Sequence, residues 1–282
     1  MARSPPDLAR DMPQLTLNAL EFHYLDVGSG PGVLLLHGFP DSSALWRHQV
    51  PVLVDAGYRV VAPDLRGFGA SARPPARADY RVELLLGDIL ALLDALGLEE
   101  VHVLCHDWGA SLGWLLAALH APRVTSLTAL SVGHPQSFYG AGFGQRARSW
   151  YMLLFQFEEL AERLLMADDW ALLRDFTGHH AEVRRWIGDL SRPGALTAAL
   201  NWYRANAHPA QTFRRLDFPR VAVPTLGIWG SADPYLEEAQ MAGSAAHVDA
   251  AWRYERLEGA GHWLPLDRPA AVNRLVLEWI AA

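Results

Sequence analysis

The sequence has only one cysteine, Cys105, among 282 residues. That excludes an internal disulfide framework and leads us to expect a reducing, cytoplasmic setting. Long uncharged apolar runs are also missing: nothing approaches the roughly 18 residues that a membrane-spanning helix needs. Segment Met1 to Gln14 is polar, contains Pro5-Pro6 and has no apolar h-region, so no signal peptide is read there. Basic charge is sparse and dispersed, with 24 Lys and Arg against 31 Asp and Glu, for a formal net charge of −7. Nucleic acid and anionic membrane surfaces require concentrated positive charge, so neither is expected as a partner. No internal repeat, low-complexity tract, cofactor-binding pattern or metal-ligating pattern is present.

What the chain does have is apolar residues, 51% of them, enough for one large core and a smaller satellite. Alternating residues from Leu15 to Val27 predict a strand pair. Short apolar runs at Val33 to Leu36, Arg59 to Ala62, Val101 to Cys105 and Leu127 to Val132 predict buried strands. Helical periodicity separates them over Ala44 to Ala56, Val82 to Leu96 and Ala110 to His120, the second stopping at Gly97. Strands alternating with helices imply a mostly parallel sheet covered on both faces, an α/β fold. From about Gly133 to Leu216 the rhythm changes to helical, aromatic-rich segments holding four of the eleven tryptophans: Trp150, Trp170, Trp186 and Trp202. The rhythm then resumes with strand Thr225 to Trp229, helix Leu236 to Ala246, strand Arg253 to Leu257 and helix Ala270 to Ile280. This predicts a core domain over 1–133 and 217–282, interrupted by a helical cap over 134–216. Ligands of open α/β sheets bind beyond the carboxyl ends of the strands, so such an insertion would act as a lid.

Chemistry concentrates at three strand ends. Val101 to Cys105 runs into His106-Asp107-Trp108-Gly109 and then a helix, a strand–turn–helix elbow with small residues two positions either side of Asp107. At the tip, Asp107 would sit at a helix N-terminus, where the dipole favours a carboxylate; an ordinary N-cap aspartate is the plainer reading. Strand Thr225 to Trp229 empties into Gly230-Ser231-Ala232-Asp233, and Arg253 to Leu257 into Glu258-Gly259-Ala260-Gly261-His262. Alone, each is a surface loop. Together they supply nucleophile, acid and base in the chain order used by hydrolases built on an elbow. Gly109-Ala110-Ser111-Leu112-Gly113 matches the serine version of that elbow. Making Ser111 the nucleophile would require strand through His106 to Gly109, which are poor strand formers, so Ser111 is placed one helical turn beyond the bend.

These residues resemble the epoxide hydrolase and haloalkane dehalogenase branch of the α/β-hydrolases, from about Leu15 to Ile280. The marks are His37-Gly38-Phe39-Pro40, Asp64-Leu65-Arg66-Gly67-Phe68-Gly69-Ala70-Ser71, His106-Asp107-Trp108-Gly109, Asp233 and Gly261-His262-Trp263. The resemblance implies Asp107 as nucleophile, His262 as base and Asp233 as its orienter, with the Phe39 and Trp108 amides forming an oxyanion hole. Trp150-Tyr151-Met152-Leu153-Leu154-Phe155-Gln156 and Asn201-Trp202-Tyr203-Arg204 are similar to the lid segments that carry the two tyrosines of epoxide hydrolases. That implies Tyr151 and Tyr203 as proton donors, with His37, Trp108, Trp150, Phe155 and Trp202 against the substrate.

Fluoroacetate-type dehalogenases are similar too, but their arginines after the nucleophile are replaced here by Trp108 and Ser111. Phe39 suits epoxide hydrolases better than haloalkane dehalogenases. The expected activity is opening of a small apolar epoxide by water, without cofactor or metal, by a monomer or homodimer. A haloalkane dehalogenase with the same triad, a serine esterase at Ser111 and a non-catalytic small-ligand binder of the same fold stay open as alternatives.

Overall fold

The structure, a computed structural model, describes residues 12–207 and 218–282. Strands β1 (Gln14–Leu17) and β2 (Leu20–Val27) form the expected antiparallel pair, turning at Asn18 and Ala19, both with positive φ. The sheet continues with β3 (Gly32–Leu36), β4 (Arg59–Pro63), β5 (Val101–His106), β6 (Val124–Leu130), β7 (Thr225–Gly230) and β8 (Trp252–Leu257). Its eight strands lie in the order β1-β2-β4-β3-β5-β6-β7-β8. Only β1/β2 and β2/β4 are antiparallel. Every residue of β3 is buried, as a run of apolar residues in a sheet covered on both faces requires.

Helices α1 (Val50–Asp55), α2 (Val82–Ala95) and α3 (Trp108–Leu119) lie among the first six strands. Among the described residues, six more follow between β6 and β7: α4 (Pro135–Gly140), α5 (Phe143–Arg148), α6 (Trp150–Leu154), α7 (Leu160–Phe176), α8 (Val183–Leu190) and α9 (Ala195–Asn206). Helix α7 is broken at Ala167–Trp170 by non-helical backbone. No strand falls in this stretch among the described residues. The expected boundary at 216/217 lies outside them. Helices α10 (Glu238–Ala242), α11 (Leu264–Asp267) and α12 (Pro269–Ile280) complete the chain. Among the described residues, no helix is long and apolar enough to cross a membrane.

Several sequence expectations need correction. The helix expected over 44–56 is a 3₁₀ turn, Ser43–Trp46, and then α1, with Pro51 in its first turn, where a missing N–H costs nothing. The helix expected over 236–246 shortens to α10 followed by a 3₁₀ turn, Gly243–His247. Its start is lost because the Asp233 carboxylate takes the Tyr235 and Leu236 amides into a turn of its own. Strand β6 begins at Val124, three residues before its apolar run: the register pairs Val124 with Val101, and Ser126 Oγ meets His102 Nδ1 at 2.8 Å. Strand β5 extends one residue beyond Cys105, to His106.

Candidate active site

The bend after β5 is made by Asp107, with φ 53° and ψ −122°, a combination L-residues avoid and a tight strand-to-helix reversal imposes. Its side chain makes no cap bond to α3, which removes the N-cap reading. Glycine is required at two neighbouring positions because the chains approach closely. A Cβ on Gly38 would strike the Asp107 carboxylate and the Trp108 amide, and one on Gly109 would strike the Leu36 and His37 carbonyls. Ser111 lies within α3, its amide bonded to the Asp107 carbonyl. No hydrogen bond joins its hydroxyl to His262 among the described residues, so nothing in this geometry activates it.

The other two strand-end residues converge on the bend. Asp233 follows β7 and is buried; its Oδ1 accepts from the Tyr235 and Leu236 amides at 2.8 and 3.0 Å, which aims Oδ2 at His262. His262 is buried after β8, with Nδ1 2.8 Å from Asp233 Oδ2 and Nε2 3.6 Å from Asp107 Oδ2. The imidazole therefore stands between two carboxylates. The other Asp107 oxygen accepts from the Phe39 amide at 2.6 Å.

The charges follow from this placement. Burial would raise the Asp107 pKa, but the hydrogen bond and charge of His262, with the Trp108 amide, hold it below the ordinary carboxylate value. Burial would lower the pKa of His262; the charges and hydrogen bonds of Asp233 and Asp107 outweigh it and push it up to about 10. Burial lifts both Tyr151 and Tyr203 well above 10, and the nearby Asp107 charge adds to this, so both hydroxyls keep their protons.

A cavity of about 500 Å³ opens onto Asp107. Trp108, Ser111, Leu115, Val132, Phe138, Tyr151, Met152 and Leu236 line it, together with Val82, Ala205 and Asn206. Tyr151 and Tyr203 pack edge to face, 5.9 Å between ring centroids, and Tyr203 also meets Trp108 at 5.1 Å and Phe39 at 5.7 Å. Among the described residues, no group of three or more His, Cys, Asp or Glu side chains is gathered to hold a metal ion.

Four expected substrate contacts do not line this cavity, and neither does the expected proton donor Tyr203, which packs against Trp108 and Tyr151. Trp150 is 53% exposed and stands on the outer side of α6. Phe155 is buried between Phe39 and Tyr203, behind the tyrosines. Trp202 is buried with its indole N–H on the Arg66 carbonyl, 2.9 Å away. His37 is buried, and burial holds its pKa down. Its Nε2 accepts from the Leu65 amide at 3.0 Å, so Nδ1 carries the proton given to the Gly38 carbonyl at 3.1 Å. It braces the loop that presents the Phe39 amide.

Sequence reasoning missed the supports of the imidazole. Tyr235 sets its ring edge-on to His262 at 5.1 Å and gives its hydroxyl proton to the Phe176 carbonyl. Behind His262, its own carbonyl receives the Ser131 hydroxyl at 2.8 Å and the His106 Nε2–H at 2.9 Å. Burial, and then the His262 charge, lower the His106 pKa to about 4, so its ring stays neutral beside the protonated imidazole. A tyrosine two residues after Asp233 and a histidine before Asp107 were the available signals, but neither spacing has a meaning until the loops are folded.

The model of the alpha/beta hydrolase fold family matches residues 31–269. The chain is 32% identical to Epoxide hydrolase A of Mycobacterium tuberculosis (strain ATCC 25618 / H37Rv) over 308 residues, covering 93% of this chain and 95% of that protein. It is 33% identical to Epoxide hydrolase 4 of Homo sapiens over 279 residues, covering 92% and 75%. Among solved structures, it is similar to a Bacillus megaterium epoxide hydrolase crystallised with an inhibitor. The TM-score is 0.88 at 27% identity, over 96% of this chain and all of that one (100%).

Proposed function

Because the chain belongs to the α/β-hydrolase fold family, among its epoxide hydrolases, we propose that it converts a small apolar epoxide to a vicinal diol through an ester on Asp107. The observation that carries this reading is His262 held between Asp233 and Asp107, at 2.8 and 3.6 Å, with Asp107 itself on the wall of a cavity that Tyr151 also lines.

An epoxide carbon is saturated, so the attacking group displaces an alkoxide. A carboxylate already ionised needs no base for this. Asp107 forms the C–O bond as the ring C–O bond breaks, while the protonated hydroxyls of Tyr151 and Tyr203 stabilise and protonate the oxygen that leaves. Ester formation also cancels the Asp107 charge, one of the two anions that raise the His262 pKa. The imidazolium then gives up its proton, which restores the tyrosine that protonated the ring oxygen, and the neutral imidazole takes one from water, which attacks the Asp107 carbonyl carbon. The Phe39 and Trp108 amides receive the oxyanion; its collapse breaks the ester C–O bond, the departing alkoxide takes the proton held by His262 to complete the diol, and the new carboxyl gives its own proton back to His262 as the Asp107 carboxylate re-forms. Each positioned proton-transfer group contributes about 10²–10⁴-fold. The apolar lining, Leu115, Val132, Phe138, Met152 and Leu236, supports an uncharged substrate that tolerates an aromatic group. A cytoplasmic setting belongs to the same reading and is supported by the unpaired thiol of Cys105.

The test is to trap the ester. His262→Gln mixed with styrene oxide is expected to gain the mass of the epoxide on Asp107 and to release almost no diol; Asp107→Ala gains nothing. A single wild-type turnover in ¹⁸O-water should give unlabelled diol. Label in that first-turnover diol would exclude the ester route.

A further inference from the structure

We infer that Asn206 is a positioning residue for Tyr203, an inference that rests on the role proposed above for that tyrosine. Asn206 ends α9, three residues after Tyr203, and its carboxamide oxygen and both of its N–H groups are engaged. Its Oδ1 accepts from the Val82 amide at 2.8 Å, and its Nδ2 donates to the Tyr80 carbonyl at 2.7 Å and the Trp202 carbonyl at 2.9 Å.

These bonds answer a need on the other side. Val82 opens α2, and the residue before it, Arg81, offers no side-chain acceptor to the orphan amides of the first turn. Asn206 supplies that acceptor from 124 residues away in sequence, doing for α2 what an N-cap residue usually does from within the chain segment. The fixed point is firm: Tyr80 is fully buried, with its hydroxyl on the Pro74 carbonyl at 2.8 Å. On the amino side of Tyr203, the Trp202 indole is tied to the Arg66 carbonyl. The turn that carries Tyr203 is thus bonded to the sheet domain at both ends.

Epoxide opening needs that hydroxyl within hydrogen-bond reach of one small ring oxygen, where a misplacement of about 1 Å costs on the order of 100-fold. Hydrolysis of the ester uses His262, Asp233 and the Phe39 and Trp108 amides, and none of them is held by Asn206. Its loss should therefore slow the first chemical step and leave the second alone.

The experiment is a double-mutant cycle on the rate of ester formation, read by single-turnover mass spectrometry with styrene oxide in the His262→Gln protein. Asn206→Ala is expected to slow ester formation by about 10- to 100-fold, and Tyr203→Phe to slow it as well. The pair should be no slower than Tyr203→Phe alone, because a misplaced hydroxyl and an absent one are equivalent. With His262 intact, Asn206→Ala should leave the rate of ester breakdown unchanged. Multiplied effects in the pair, a slowed breakdown, or an unchanged rate of ester formation in Asn206→Ala would each overturn the inference while leaving Tyr203 in its role. An unchanged rate in Tyr203→Phe would overturn that role and this inference together. If Asn206→Ala does not fold, Asn206→Asp enters the same cycle: it keeps the acceptor for Val82 and loses both donors.

Discussion

At the scale of single residues, the unusual feature is an imidazole flanked by two carboxylates. Each anion favours the cation by its charge, and the short contact to Asp233 adds a hydrogen bond, so the pKa rises to about 10 against the cost of burial. The consequence for stability has a definite sign. A folded-state pKa above the unfolded value, about 6.5, means stabilisation that is complete below the unfolded value and is lost as pH rises through about 10. Asp107→Asn removes one of the two anions and should lower the folded pKa. Wild type should therefore lose more thermal stability between pH 7 and 10 than Asp107→Asn does, by differential scanning calorimetry at matched ionic strength. Equal losses would mean that Asp107 does not charge the imidazole. The same residue also explains why the bend was readable: an aspartate followed by Trp108-Gly109, at the end of a short apolar run, is a local pattern, and local patterns survive in one dimension.

At the scale of elements, the short helix α5 brackets the turn that aims Asp233. Gln145, buried, accepts from the Glu237 amide and donates to the Tyr235 carbonyl, both at 2.9 Å. Arg148 donates to the Asp233 carbonyl and pairs with Glu237, both at 2.7 Å. Helix α6, beginning two residues later, carries Tyr151. Its end is bonded in turn to α9, through Gln156 to the Tyr203 carbonyl and Arg204 to the Phe155 carbonyl. One connected run therefore spaces the acid from both tyrosines. Gln145→Leu leaves the part-buried Glu237 amide and the buried Tyr235 carbonyl without this partner, at about 1–3 kcal/mol for the buried carbonyl, and frees the Asp233 turn. We expect both ester formation and ester breakdown to slow in this variant. Stopped-flow tryptophan fluorescence would separate the two, and a defect confined to one step would refute the bracket. None of this was legible in the sequence. Strands and long helices announce themselves by periodicity, but Gln145 lies about ninety residues before the loop it holds, in a helix too short to have a period. The same limit explains Trp150, Phe155 and Trp202. Being aromatic and near a tyrosine does not say which side of a helix faces the cavity.

At the scale of the molecule, the question is whether the helices between β6 and β7 are a separable lid. Buried residues of both parts belong to one hydrophobic cluster, which joins Leu34, Val103 and Phe39 to Phe155, Trp186 and Trp202. Asp41, buried in the loop after β3, accepts two bonds from Arg185 and one from the Trp186 indole, all at 2.8 Å. Trp186 then packs tilted against Trp263, the neighbour of His262, with 4.7 Å between ring centroids. His180, from the turn before α8, reaches Asp267 in α11 at 3.0 Å. The insertion is thus keyed into the loops that carry the chemistry, and cutting that key should be felt throughout. Arg185→Ala strands the Asp41 carboxylate in the interior with only the Trp186 indole and the Ser42 amide. Breaking a fully buried pair costs about 3–5 kcal/mol; because the Arg185 side chain keeps 29% exposure, we expect about 2–3 kcal/mol. A shared core also implies one cooperative transition. Thermal melts followed by far-UV circular dichroism, weighted to the helices, and by fluorescence of tryptophans in both parts should coincide in wild type and shift together in Arg185→Ala. Separate transitions, with the helical signal lost first, would mean that the insertion folds as its own unit rather than with the sheet it interrupts.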